Sequence, residues 1–318
     1  METSTHKLLS VILLSYYSKE RINKCYQDVN SLLSKEHIPF EFIIMDDGST
    51  DESFAIALEL EKTHKNVFAY QLSRNYTSNY SWLAGLSVCN GGCALAIPDD
   101  EQQPYQSIVE MYRLWEQGHK VIIPNRITRD DPFFTNFFSV CYYKIINALS
   151  EITYPQGGAD LAFIDREIID ILNSRIHPIN TAVVPEIFRL GFSPVYFPYE
   201  RPLGLNEGKS RWSFKKKLRL AKDVFLSSST FPIKFISGLG MFFCLISIIG
   251  IIFYTYIRTF GNANFWGASM PGWTSIIILI MFFGGIILFS LGIIAEYIWR
   301  IYEEVKNRPG YIIKKKAE

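Results

Sequence analysis

The chain has 318 residues, enough for one large domain and something smaller, and its 32 Lys and Arg nearly balance 31 Asp and Glu. That balance gives no electrostatic reason to expect a nucleic-acid partner. The five cysteines (Cys25, Cys89, Cys93, Cys141, Cys244) are scattered; the close pair, Cys89 and Cys93, has no second pair to complete a zinc site, and a reduced, cytosol-facing setting fits better than a disulfide framework.

Taken in chain order, 9–14 reads as a strand. The apolar run 8–17 is no signal peptide, because it lacks a small-residue cleavage site and leads into charged, helix-forming sequence. A helix is expected near 19–33, then a strand over 40–45 ending in the acidic stretch DDGSTD at 46–51. Residues 52–63 have helical periodicity, with Asp51 available as N-cap. Strand 67–72, helix 82–89, strand 94–97, helix 105–117 and strand 120–124 follow. Such alternation argues for an α/β, Rossmann-like domain with a mostly parallel sheet covered on both faces. Ligands of these sheets bind beyond the carboxyl ends of the strands. Both acidic clusters, 46–51 and 99–101, fall there.

The stretch GLNEGKS (204–210) imitates a phosphate-binding loop, but its glycines stand one residue too close and no central strand precedes it. Residues 212–225 interleave Trp212, Phe214, Leu218, Leu220 and Phe225 with Lys215, Lys216, Lys217, Arg219 and Lys222. That pattern reads as an amphipathic helix lying on anionic lipid. Two uncharged runs of 23 residues, 235–257 and 273–295, come next. At about 1.5 Å per residue each reaches about 34 Å, enough to cross a hydrocarbon core of about 30 Å. The loop between them carries a single charge, Arg258, whereas basic residues crowd both outer flanks. Both termini are therefore expected on the cytoplasmic side of a two-span membrane protein. The expected organisation is a cytosolic domain (1–210), a juxtamembrane amphipathic helix (211–231), two transmembrane helices (232–299) and a basic cytosolic tail (300–318).

Seven segments in this order resemble a known group: SVILLSYYSKERI (10–22), DDGSTD (46–51), SRNYTSNYSWLAGL (73–86), PDDEQQP (98–104), NRITRDDPFFTNFFSVCYYKIINAL (125–149), GKSRWSFKKK (208–217) and GIIAEYIWRIYEEVKNRPGYII (292–313). The chain resembles the family 2 glycosyltransferases of the polyisoprenyl-phosphate type, relatives of dolichol-phosphate mannose synthase and the bactoprenol glucosyltransferases, over nearly its whole length. The resemblance implies a GT-A fold and transfer of a sugar, with inversion, from a nucleotide diphosphate to a lipid phosphate at the cytoplasmic face of a bacterial inner membrane. It leans to uracil as the base.

Residue by residue, the resemblance implies that Ser15, Tyr16 and Tyr17 touch the nucleoside. Asp46 and Asp47 match the family's DD pair, with Asp47 accepting a hydrogen bond from the base. Ser73 and Arg74 match its nucleotide-side loop. Asp100 matches the last acid of its D-x-D, and Gln102 the following glutamine. Pro98 stands where the first acid is usual, leaving Asp99 as its substitute. The first loop reads L-S-Y-Y where the family has P-x-Y-N, and Ser18 and Lys19 replace acids.

A departing nucleotide gains charge, so Mg²⁺ or Mn²⁺ held by Asp100, with Asp99 beside it, is expected to stabilise it. A lipid phosphate is already anionic at neutral pH and needs positioning more than proton removal. Arg126, Arg129 and Arg201 are candidates for that clamp, since guanidinium grips phosphate in a fork. Lys209 and Ser210 join them, on the loop that the family closes over the donor. Gln102 would orient the phosphate, and Asp160 would order its loop or act as base toward a hydroxyl. The expected partners are a nucleotide-sugar, a polyisoprenyl phosphate, the bilayer and a second copy of the chain. Two alternatives stand beside this reading: transfer to a hydroxyl of a lipid-linked glycan, and a non-catalytic nucleotide-binding membrane protein.

Overall fold

The computed structural model describes residues 7–100, 104–126, 144, 147–148, 152–155, 159, 161–179, 181–199, 234–236, 238–243, 245, 248–249, 252 and 272–314. Gln102, Arg129, Asp160, Arg201, Lys209, Ser210 and the helix expected at 211–231 lie outside the described residues.

The first two strands, β1 (Leu9–Ser15) and β2 (Phe40–Asp46), are almost wholly buried. Near-continuous apolar runs of this kind are what a parallel sheet covered on both faces requires. They are followed by β3 (Val67–Leu72), β4 (Cys93–Pro98), β5 (Val121–Arg126), β6 (Phe163–Asp165), β7 (Val195–Tyr199) and β8 (Ile313–Lys314) in one sheet of order β7-β5-β6-β4-β1-β2-β3-β8. Strand β1 runs parallel to β2 and β4, β2 to β3, and β5 to β7. The short β6 is antiparallel to β4 and β5, and β8 is antiparallel to β3.

The helices are α1 (Ile22–Lys35), α2 (Ser53–Thr63), α3 (Ser78–Val88), α4 (Gln106–Glu116), α5 (Arg166–Arg175), α6 (Val183–Arg189) and α7 (Gly272–Val305). Alternation along each strand sends neighbouring side chains to opposite faces. Val11, Leu13, Phe42 and Ile44 thus pack with α1, α2 and α4 residues such as Val29, Ala57 and Tyr112. Ile12, Ile43 and Met45 pack with α3, α5 and α6 residues such as Trp82, Ile168 and Ile187. Away from the carboxyl edge, the buried Glu41 accepts hydrogen bonds from Ser10 Oγ (2.6 Å), Asn90 N (2.5 Å) and Gly91 N (3.2 Å), which lashes the 90–91 turn to β1 and β2.

The strands and helices expected up to residue 124 are all present. Helix α3 begins at Ser78 rather than at 82, because its first turn is polar and carries no apolar period. The chain divides into two compact units, Met1–Ser228 with Arg308–Glu318, and Ser229–Asn307. The segment assigned from sequence only as a basic tail therefore supplies a strand to the sheet of the first unit.

In the second unit α7 is 34 residues long, about 51 Å at the helical rise, and runs past the expected end at 295. Its stretch Phe282–Val305 is long and apolar enough to cross a membrane, and Leu288 is 72% exposed. About half of the positions of the first expected span, 235–257, are described, and these are helical; Phe243 packs edge-on against Phe283 with ring centroids 5.2 Å apart. Glu296 and Arg300, one turn apart, form the ion pair their spacing predicts, at 3.7 Å.

Candidate active site

Because β1, β2, β3 and β4 are parallel, their carboxyl ends share one edge, and the loops leaving them are tied into a single platform. The DDGSTD loop is built around Asp46. Fully buried, its carboxylate accepts from Ser49 N (2.9 Å), Ser49 Oγ (2.5 Å) and Gln71 Nε2 (2.9 Å). Asp46 is thus occupied in holding the turn. Gly48 has φ +70°, and a Cβ there would lie 2.5 Å from the Arg74 carbonyl carbon, so both the turn and the close approach demand glycine.

Asp47 faces the neighbouring loop. It is 4% exposed and accepts from Tyr76 N (2.7 Å) and Thr77 N (2.9 Å). Burial pushes its carboxyl up to about 6, against the opposing pull of those two amides. Thr77 has φ +84°, the bend from which α3 starts. Ser73 and Arg74, expected beside the nucleotide, are exposed on this loop. The Arg74 guanidinium lies 4.4 Å from the Tyr76 ring centre, and the Ser73 hydroxyl is 3.0 Å from that of Tyr76.

The first loop carries Ser15, Tyr16 and Tyr17 to the same edge. Ser15 Oγ is buried and has no hydrogen-bond partner among the described residues, while the Ser15 carbonyl accepts from Asp47 N at 2.9 Å. Tyr16 and Tyr17 are exposed and meet edge to face. Tyr17 has φ +51°, a conformation that Asn tolerates and most side chains avoid. The loop is held by Tyr17 N donating to Ser49 Oγ (3.0 Å), the Tyr17–Thr50 hydroxyl pair (2.9 Å) and Ser18 N donating to Ser53 Oγ (2.8 Å).

Beyond β4, Asp99 is 6% exposed and Asp100 half-buried. The Asp99 carboxylate accepts from Ser18 Oγ and from Arg21 Nη2, the latter at 2.6 Å. Arg21 also donates to the Tyr17 carbonyl at 3.1 Å. Arg21 and Ser18 were not foreseen as site residues. The available signal was an arginine in the first turn after β1 in a fold that sets β1 beside β4. Among the described residues no three His, Cys, Asp or Glu side chains are grouped to enclose a metal ion. One or two carboxylates suffice where phosphate oxygens and water complete the shell, as they do for Mg²⁺, so Asp100 with Asp99 beside it fits that donor set.

The structure thus brings Ser15, Tyr16, Tyr17, Asp46, Asp47, Ser73, Arg74, Asp99 and Asp100 to one edge. Backbone register adds the end of β5: Arg126 pairs with Tyr199 of the parallel β7, two residues before Arg201 in sequence.

A profile described as "Glycosyl transferase family 2" matches residues 10–172, from β1 to α5 and so across every loop of the platform described above. The chain belongs to glycosyl transferase family 2. This family 2 chain is 31% identical over 307 residues to the "Putative glycosyltransferase CsbB" of Bacillus subtilis (strain 168), covering 96% of this chain and 91% of that one. It is 28% identical over 313 residues to the "SfII prophage-derived bactoprenol glucosyl transferase" of Shigella flexneri, covering 96% and 97%. Among solved structures, mannosyl-3-phosphoglycerate synthase from Rubrobacter xylanophilus matches with a TM-score of 0.49 and 14% identity, over 70% of this chain and 73% of that chain. The topology is that of an α/β, Rossmann-like domain with a mostly parallel sheet.

Proposed function

We propose that this transferase moves a sugar from a nucleotide-diphosphate donor, UDP-linked by preference, to a polyisoprenyl phosphate at the cytoplasmic face of a bacterial inner membrane. The observation that carries the reading is similarity to bactoprenol glucosyl transferases over 96–98% of this chain, the apolar unit included. A second relative, an undecaprenyl-phosphate 4-deoxy-4-formamido-L-arabinose transferase from Photorhabdus laumondii, points to the same class of acceptor over 97% of this chain.

In this reading Tyr16 and Tyr17 offer ring faces to the nucleoside, and Asp47 accepts from the base while holding the 76–77 amides. Arg74 approaches the diphosphate from the neighbouring loop. Asp100 chiefly, with Asp99 beside it, holds Mg²⁺ or Mn²⁺, which when bound would offset the charge growing on the departing nucleotide. Arg21, by neutralising Asp99, keeps the acidic turn from repelling the diphosphate. Arg126, Arg129 and Arg201, with Lys209, Ser210 and Gln102, are the proposed groups for the acceptor phosphate. An anionic phosphate attacks without a base, so Asp160 orders its loop rather than taking a proton.

The bilayer keeps the acceptor at the surface, and α7, with the span proposed at 235–257 and the interfacial helix proposed at 211–231, keeps the enzyme beside it. Two such spans in a small membrane unit also suit a homo-oligomer. The test is to incubate membranes carrying the protein with a panel of labelled nucleotide sugars and undecaprenyl phosphate. One donor should yield an organic-soluble, mild-acid-labile product that disappears with EDTA. Label that stays water-soluble with every donor would contradict the reading.

A further inference from the structure

The loop 73–77 is pinned from three directions, and two of them come from the DDGSTD turn: Gly48 against the Arg74 backbone and the Asp47 carboxylate on the amides of Tyr76 and Thr77. The third comes from the far end of the chain. Strand β8 pairs with the edge strand β3, Leu72 opposite Ile313 and Gln71 opposite Lys314. Immediately beyond that ladder Ser73 N donates to the Ile312 carbonyl at 2.9 Å. Gln71 itself donates to Asp46 and, at 3.2 Å, to the Ser49 carbonyl, so β8 lies against the residue that links β3 to the DDGSTD turn.

The approach to β8 is seated as well. Tyr311 is partly buried against the α3 side of the core, its hydroxyl 3.4 Å from the Leu83 carbonyl. Gly310 passes so close to Pro178 that a Cβ would sit 2.9 Å from the proline ring. A free basic tail would need none of these contacts.

We infer that residues 308–314 form a positioning element for the donor: the C-terminal strand fixes the start of the 73–77 loop, and thereby Ser73 and Arg74, in the conformation that receives the nucleotide diphosphate. The inference rests on the proposed donor reading and deepens it. It also gives a physical reason for the chain to return to the catalytic domain after α7, only seven residues separating Val305 from Ile313. The strand acts through its backbone, so side-chain identity at the exposed Lys314 is immaterial.

The test uses the full-length protein in detergent micelles, with two readouts. Amide hydrogen exchange by mass spectrometry is followed over 73–77 and, as an internal standard, over β1 and β2. Donor and acceptor KM are measured in parallel. Ile313→Pro, which disrupts the pairing, and Gly310→Val, which lifts the segment off Pro178, are each expected to speed exchange over 73–77. Each is also expected to raise donor KM about fivefold, the worth of one ordinary hydrogen bond, with acceptor KM unchanged. Lys314→Ala should match wild type. If a variant loses protection throughout β1 and β2, the milder Gly310→Val decides the matter. Unchanged exchange over 73–77 in a variant whose β8 is released, or equal rises in donor and acceptor KM, would overturn the inference. Absence of sugar transfer by the wild-type protein would contradict the donor reading alone, and the exchange data would still decide whether the strand orders the loop.

Discussion

At Asp47, burial and hydrogen bonding pull in opposite directions, and burial wins. A carboxyl raised to about 6 is protonated more readily in the fold than in the unfolded chain. Its ionisation therefore costs the fold up to about 3 kcal/mol, a cost that builds as pH rises from about 4 to about 6 and is complete above that. In the proposed donor reading function runs the other way, because the carboxylate is the form that would accept from Tyr76, Thr77 and a base together. Donor KM should rise as pH falls below about 6, and Asp47→Asn should both raise KM at neutral pH and flatten that rise. A wild-type profile flat to pH 5 would count against this role.

The neighbouring acids separate in the same manner. Asp99 is paired with Arg21 and accepts from Ser18, so its share in holding the metal is the smaller one, and Asp99→Asn should change the Mn²⁺ concentration for half-maximal activity only slightly. Asp100→Asn should lower activity about a hundredfold at any metal concentration. Titrating both variants with Mn²⁺ distinguishes anchor from ligand, and comparable losses would contradict the division.

Among elements, the strands and helices up to residue 124 were legible because each is a single apolar run or period with a polar break. What followed was not. Strand β6 has only three residues, too few for a pattern, and is defined by pairing between β4 and β5. Strand β8, with two, is defined wholly by its docking on β3. Within the site, types of residue were legible and partnerships were not. DDGSTD announces a loop at the carboxyl edge, yet that Asp46 is spent on Ser49 and Gln71, and Asp47 on the 76–77 amides, depends on contacts between distant segments. Glu41 makes the same point at the other end of β2. Glu41→Ala should destabilise the domain by about 2–4 kcal/mol in a denaturant titration while leaving donor KM unaltered, since the turn it holds is remote from the platform. Gly48→Ala should do both, lowering stability and raising donor KM, because its Cβ and its φ each conflict with Arg74. Loss of stability without a change in donor KM would detach Gly48 from the donor loop.

At the scale of the whole molecule, a Rossmann-like domain and an apolar helical unit share one chain, and β8, after α7 in sequence, pairs in the sheet of the first. Of the two uncharged runs read as spans, the second falls in α7, which exposes leucines and isoleucines and has one stretch long and apolar enough to cross a membrane; the first remains a reading of the sequence. Such an arrangement suits a water-soluble donor and an acceptor confined to a bilayer. The central claim is the bond formed between them, and ³¹P NMR of the purified lipid product reads it directly. The account predicts that the undecaprenyl phosphate resonance moves from monoester to diester as labelled sugar enters the organic phase. A sugar-bearing product whose phosphate remains a monoester, or label found on a hydroxyl of a glycan, would contradict it.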